Sequence, residues 1–178
     1  SLCLVGSEMC IRDRVYIHKA IVDKGSIKTG DVIKMSVEKE KRSAIAIHHS
    51  STHLVHAALR AVLGDHVQQK GSLVDENKLR FDFSHTKPLT KEEITKIEDI
   101  VNKEALKNLE VKTELMKLDD ALKSGAMALF GEKYDDDVRV LTMGENSYSV
   151  ELCGGTHVNR TGDTVSYTHL TLPTNVQV

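Results

Sequence analysis

The sequence contains few aromatic residues and few cysteines. Aromatic side chains make up 4% of its 178 residues and tryptophan is absent, so the core has to be built from aliphatic side chains. Three cysteines are too few, and odd in number, for the disulfide framework of a secreted protein. We therefore expect Cys153 to be a thiol or a metal ligand in a reducing cytoplasm rather than half of a cystine.

The sequence also lacks an excess of either charge and any long apolar run. Its 24 Lys and Arg residues balance 26 Asp and Glu residues, which argues against a dedicated duplex-DNA binder but not against brief contact with one nucleic-acid end. No stretch approaches the ~20 apolar residues of a membrane span, and the apolar residues 2–5 are too few for a signal peptide. These absences predict a cytoplasmic protein without a membrane or DNA partner.

The N-terminal third of the chain predicts a small β region followed by a helix. Residues 15–38 contain strand-like apolar stretches separated by glycine turns, and residues 32–37 alternate as a half-buried strand does. The charge run at 38–42 is typical of a solvated linker. Beyond it, apolar residues at helical spacing predict a helix, with Ser50 or Ser51 as its N-cap.

The rest of the chain mixes hairpins and helices without regular alternation. A capping-box pattern starts at Thr90 and predicts a helix there. The other predicted elements are a hairpin over residues 66–74 and 79–85, strands over 111–116, 138–143 and 148–152, and a helix over 118–123. Hairpins with irregularly placed helices favour an α+β fold with a mainly antiparallel sheet packed by helices.

Two short motifs pair metal-ligand side chains four residues apart. His49 and His53 have the spacing that places two imidazoles on one face of a helix. Cys153 and His157 enclose two glycines, which favour a tight turn that brings the two side chains together. Three imidazoles and one thiolate suit tetrahedral Zn²⁺ and suit Mg²⁺ or Ca²⁺ poorly. Spacing alone leaves open that these histidines are ordinary partly exposed polar residues.

Five stretches of the chain together resemble the editing domain of alanyl-tRNA synthetases. They occur in the family's order and spacing, and the resemblance covers about residues 15–163. Threonyl-tRNA synthetase editing domains share a related zinc-type pattern but match the third and fourth stretches less well. The stretches are HSSTHLVHAALR at 49–60, HVQQKGS at 66–72, RFDFSH at 80–85, GAMALFGEKY at 125–134 and VELCGGTH at 150–157.

The resemblance implies an aminoacyl-tRNA deacylase that hydrolyses serine or glycine from the 3′ end of alanine tRNA. It implies Zn²⁺ as the cofactor, held by His49, His53, Cys153 and His157. It places Gln69 in the active-site pocket, with Thr52 and Ser72 as pocket residues that meet the hydroxyl of the substrate. The implied partners are the acceptor end of alanine tRNA and the other domains of a full-length synthetase.

The resemblance also implies a domain organisation. Residues 1–14 and 164–178 do not match the family and resemble recurrent artefactual tails of assembled environmental sequences, so we expect both to be non-native. Between them we expect a small, barrel-like β subdomain at 15–45 and a zinc-binding editing core at 46–163. No ATP-binding segment of an aminoacylation domain is found, so we do not expect this chain to charge tRNA. The artefactual-looking ends favour a fragment of a ligase over a stand-alone editing protein.

Three alternatives stay open at this point. The chain can be a non-catalytic, zinc-stabilised tRNA-binding module, which needs the four metal ligands but not Gln69. It can be a stand-alone trans-editing deacylase, or a zinc hydrolase of small esters that ignores the tRNA body. Four protein ligands usually mark a closed structural zinc site, whereas a catalytic zinc keeps one position open.

Overall fold

The computed structural model describes residues 3–12, 15–128 and 134–164, with side chains described from residue 21 onward. Main-chain contacts divide the chain into two compact units, Ser1–Val37 and Glu38–Val178. The division expected from the family resemblance, at residues 45 and 46, stays a prediction. None of the helices in the described ranges is both long and apolar enough to cross a membrane.

The first unit is built on one antiparallel pair of strands. Strand β1 (Cys3–Arg12) pairs with β2 (Val15–Lys24), and β1 lies in the stretch predicted to be a tail. The described residues of this unit form no barrel. The prediction of a strand at 32–37 is wrong, because these residues have no partner strand within the described ranges and their apolar side chains are exposed, Val32 fully so.

A 25-residue helix, α1 (Lys39–Leu63), opens the second unit. The charge run predicted to be a linker forms its first turn instead. The negative charge of Glu40 interacts favourably there with the positive end of the helix dipole. The N-cap predicted at Ser50 or Ser51 is also wrong, because both serines are buried in mid-helix and Glu38 is the N-cap. The Ser51 hydroxyl instead donates to the carbonyl of Ile47, a bond that serine often makes within helices.

The remaining predicted elements of the second unit are confirmed. At Thr90 both hydrogen bonds of the capping box are present. The elements are β3 (Gln69–Val74), β4 (Leu79–Phe83), α2 (Lys91–Leu106), β5 (Lys112–Lys117), α3 (Leu118–Lys123), β6 (Asp137–Met143) and β7 (Ser149–Leu152), followed by a 3₁₀ turn (Thr161–Thr164). With two antiparallel sheets packed by helices, this unit has the predicted α+β class.

The sheet β5–β6–β7 is antiparallel throughout and separates two cores. Side chains of a strand alternate between its faces. Leu141 and Met143 of β6 therefore pack into the larger core with α1 and α2, while Val138 and Val140 pack into the smaller core with α3. The strand β7 consequently presents every second side chain to α1.

Thr161 anchors the end of the described chain to α2. It is fully buried, and its hydroxyl accepts from the amide of Leu109 at 2.9 Å and donates to the carbonyl of Glu104 at 3.0 Å. We expect Thr161→Val to lower the free energy of unfolding by about 1–3 kcal/mol, because the variant buries unpaired backbone groups. Denaturant titration measures this change. Thr95→Val, on the exposed face of α2, is the control and should change it by less than about 0.5 kcal/mol.

Candidate metal centre

Two distant stretches of the chain meet where α1 packs against the end of β7. His49 and His53 lie one turn apart on α1, while Cys153 and His157 lie on the loop after β7. One ligand atom from each of the four lies within 4.8 Å of the others. We call these four residues the candidate ligand group. The structure thus brings together the two motifs whose spacing indicated a shared site.

The loop after β7 keeps its first residue in register with the sheet. The amide of Cys153 donates to the carbonyl of Arg139 on β6 at 2.9 Å, and this bond fixes the backbone position from which the thiol side chain extends. A bend at Gly155 then returns the chain toward α1. As a result, Cys153 Sγ lies 3.2 Å from His157 Nε2 and 3.5 Å from His49 Nε2.

Gly155 is required by a close approach of backbone to side chain. A Cβ atom at this position would overlap the imidazole of His49, and that ring cannot move away without leaving the group. A Cβ atom at the neighbouring Gly154 would meet nothing within 4 Å. The two glycines of the motif therefore have different roles, and only Gly155 is needed for the geometry of the site.

Outer hydrogen bonds orient two of the imidazoles. His53 Nδ1 donates to the Glu151 carboxylate at 2.8 Å, and His157 Nδ1 lies 3.3 Å from the Ser50 hydroxyl, which also accepts from the amide of Val158. Ligating histidines usually engage such partners through the second ring nitrogen. His53 Nε2 is buried and has no hydrogen-bond partner among the described residues. An orphaned buried nitrogen that faces a thiolate and two imidazoles fits a metal ligand.

The charges of the site are coupled. Burial acts to lower the pKa of His53, but Cys153 and Glu151 outweigh it and raise this pKa to about 9. Burial acts to raise the pKa of Glu151 and of Cys153, but hydrogen bonds from the surrounding imidazoles lower them to about 2 and about 3. Mainly because of burial, the pKa of His157 is lowered. At neutral pH the site therefore holds a thiolate, a carboxylate and an imidazolium.

Glu151 and Ser50 are site residues that the sequence analysis missed. The signal for Glu151 was present, since a residue two positions before Cys153 on a strand shares its face. Ser50, predicted to be a helix cap, instead directs its hydroxyl to the loop, where it lies 3.3 Å from His157 Nδ1 and accepts from the amide of Val158. Neither residue type is distinctive by itself, and only the packing of β7 on α1 identifies them.

The three predicted pocket residues lie in different surroundings. Thr52 is buried on α1, and its hydroxyl donates to the carbonyl of His49 at 2.7 Å. Gln69 is half-buried on β3, and Ser72 is exposed on the same strand. Neither of these two side chains hydrogen-bonds to the candidate ligand group within the described ranges. Their roles in substrate binding stay predictions.

A cavity of about 210 Å³ opens beside Glu151, between α1 and β7. Ala57 and Arg60 of α1, Met127, and the stretch 147–151 contribute to its wall. None of the four candidate ligands lines it. Glu151 therefore contacts both the cavity and the His53 ring of the metal centre.

Comparison with known proteins shows that the chain is similar to parts of tRNA synthetases. Residues 138–163, which include Cys153 and His157, match the family described as the threonyl and alanyl tRNA synthetase second additional domain. Alanine–tRNA ligases match a larger part. That of Rhodopseudomonas palustris is 55% identical over 158 residues, which cover 84% of this chain and 18% of the ligase. Those of Ruthia magnifica and Cupriavidus necator are each 56% identical, covering 84% and 86% of this chain and 17% of either ligase. The chain therefore spans less than a fifth of the length of these relatives.

The two glycines of the loop provide a matched test of the metal centre. We expect Gly155→Ala to weaken metal binding by about 10–100-fold, because its methyl group displaces the His49 imidazole. Gly154→Ala meets no neighbour and should bind as the unchanged chain does. Competition with a chromophoric chelator measures both affinities. Equal weakening by the two variants would contradict the steric role assigned to Gly155.

The protonation state of the site predicts proton release when a metal binds. His53, with its pKa near 9, is protonated at pH 7.5 in the metal-free chain, whereas Cys153, with its pKa near 3, is already a thiolate. Because a ligand must be deprotonated, we expect His53 to release about one proton per metal ion at pH 7.5, falling toward zero above pH 9. Calorimetric titration in buffers of different ionisation enthalpy counts these protons. Release of two protons, or of none, would contradict the protonation states assigned to His53 and Cys153.

Proposed function

This chain belongs to the alanyl-tRNA synthetase family as a segment of such an enzyme, and on that premise we propose that it is a zinc-dependent editing deacylase. It hydrolyses the ester that joins serine or glycine to the 3′ end of alanine tRNA. The candidate ligand group supports this proposal most directly, because it joins two distant motifs in one buried site with oriented imidazoles.

Zinc is the metal that the donor set favours. Three imidazole nitrogens and one thiolate match the ligands of tetrahedral Zn²⁺ and offer no oxygen donor of the kind that Mg²⁺ or Ca²⁺ requires. The low pKa of Cys153 keeps the thiolate ready to bind at neutral pH. Residues His49, His53, Cys153 and His157 hold the ion in this proposal.

The need for a second, hydrolytic site follows from the size of the substrates. A site shaped for alanine cannot exclude the smaller glycine by steric means, and serine adds only a hydroxyl. One methylene group is worth roughly 1–3 kcal/mol of discrimination, which leaves frequent errors. A separate deacylase that removes the wrong amino acid restores accuracy.

The residues of this chain bind and orient the substrate in the proposed reaction. When bound, the zinc ion supplies Lewis acidity beside the ester carbonyl. Thr52 donates its proton to the carbonyl of His49, which leaves its oxygen free to accept from the hydroxyl of a seryl group. Gln69 offers an amide that both donates and accepts, and Ser72 adds a hydroxyl on the same strand.

A second candidate function is supported by the number of ligands. Four protein ligands complete a tetrahedral set, which is typical of structural zinc sites. A non-catalytic zinc module that binds tRNA would use the same four residues and would not need Gln69. The relatives are full-length ligases, which favours a synthetase segment over a stand-alone deacylase.

Hydrolysis of mischarged tRNA tests the proposal. We expect the zinc-loaded chain to release serine and glycine from alanine tRNA, and Cys153→Ala to slow this by at least about 100-fold, since losing a ligand costs more than losing an outer partner. Gln69→Ala should slow release while leaving the zinc content unchanged. His66→Ala, an exposed histidine outside the ligand group, is the matched control and should react at the unchanged rate.

Two results would overturn the deacylase. Binding of tRNA without hydrolysis, by a folded chain that contains one zinc ion, would identify the structural module. Hydrolysis of a small seryl ester as fast as that of the tRNA would identify a hydrolase that ignores the tRNA body. Zinc content measured by mass spectrometry separates both results from simple loss of the metal.

A further inference from the structure

A second buried histidine contacts the carboxylate that orients His53. His56 lies three residues further along α1 and is 1% exposed, while Glu151 is 2% exposed. His56 Nδ1 lies 3.0 Å from one oxygen of Glu151, and His53 Nδ1 lies 2.8 Å from the other. The carboxylate is therefore bracketed by two imidazoles from successive positions of the same helical stripe.

This bracket fixes the direction of both rings. An ionised carboxylate only accepts hydrogen bonds, so both Nδ1 atoms carry the proton. His53 consequently presents Nε2 to the candidate ligand group. A carboxylate held through one oxygen can rotate about its terminal bond, whereas a carboxylate held through both oxygens cannot. The bond from His56 thus limits the motion of Glu151, and through it the motion of His53.

Packing alone does not explain a histidine at position 56. Its Nε2 atom is buried without a hydrogen-bond partner among the described residues, which is unfavourable for a polar nitrogen. Its ring packs beside Phe81, with the ring centroids 5.3 Å apart, a contact that an apolar side chain would also make. The feature that an apolar residue cannot supply is the donor to Glu151. His56 lies outside the candidate ligand group, and its Nδ1 contacts Glu151 instead.

We propose that His56 is a positioning residue, which holds the metal ligand His53 in place through the Glu151 carboxylate. The proposal rests on the metal site put forward above. It assigns to the third histidine of the α1 stripe a role in metal affinity without contact to the metal. The two hydrogen bonds join α1, which carries two of the ligands, to β7, which leads into the loop that carries the other two. A loosened carboxylate therefore disturbs the contact between the two halves of the centre.

Metal binding to the purified chain tests the role of His56 without an activity assay. We expect His56→Leu to weaken Co²⁺ binding by about tenfold, the lower end of the effect of an outer partner, and to change the visible spectrum of the bound Co²⁺. His56→Asn should largely restore both, because its amide nitrogen stands near the place of Nδ1. Val55→Ala removes buried packing one residue away and should leave affinity and spectrum unchanged.

The outcomes separate this inference from the metal site itself. If the unchanged chain binds no Co²⁺, the proposed metal site and the proposed role of His56 are both overturned. A chain that binds Co²⁺ equally well with and without His56→Leu overturns only the role of His56. The same weakening in His56→Leu, His56→Asn and Val55→Ala also overturns it, because it shows a general loss of packing. Thermal unfolding confirms that each variant is folded, and His56→Phe, which keeps a ring beside Phe81, replaces His56→Leu where the latter fails to fold.

Discussion

A buried carboxylate constrains the arrangement of the second unit. Glu151 is 2% exposed, and a charge removed from water in this way has to be paired. Its two oxygens take hydrogen bonds from His53 and His56, and the Ser149 hydroxyl lies 3.3 Å from one of them. Sliding or rotating α1 against β7 would leave that charge unpaired. The carboxylate thereby specifies how α1 packs against β7, and the candidate ligand group depends on this packing.

The two cores of the unit support this contact from opposite faces of one sheet. Leu141 and Met143 pack toward α1 and α2, while Val140 and Leu152 pack toward α3. Both faces of β7 are therefore covered, and its side chains have no freedom to exchange faces, because a shift by one residue would move Glu151 into an apolar core. Apolar packing on one face of the strand fixes the polar chemistry on the other.

Much of this fold could be predicted from the sequence because its signals are local. The capping box at Thr90 and the alternating hairpin near Phe81 each involve a few neighbouring residues, and both are confirmed. The predicted start of α1 is wrong because serine is a common N-cap residue, and Ser50 and Ser51 precede the apolar stripe as a cap would. In the structure both serines are buried within the helix, which begins at Lys39. The prediction of a strand at 32–37 is wrong because an alternating pattern is local, whereas a strand also needs a partner, and none is found among the residues that the structure describes. The sequence does not predict the role of Glu151, because this role depends on a hydrogen bond to His53, which lies nearly 100 positions away in the chain.

The outer hydrogen bonds are distributed unevenly over the four candidate ligands, and this bears on the two proposed functions. His53 is held by Glu151 and His157 by Ser50. His49 Nδ1 has no hydrogen-bond partner in the described part of the chain, and its ring packs between Gly155 and the imidazoles of His157 and His53. A structural zinc site needs all four ligands fixed, but a catalytic site needs one position that a substrate can share. If one ligand yields, His49 is the one whose release breaks no outer hydrogen bond and leaves no buried charge unpaired. A further difference between the proposed deacylase and the proposed structural module is therefore expected at His49, which would yield its position to the substrate in the deacylase and stay bound in the structural module.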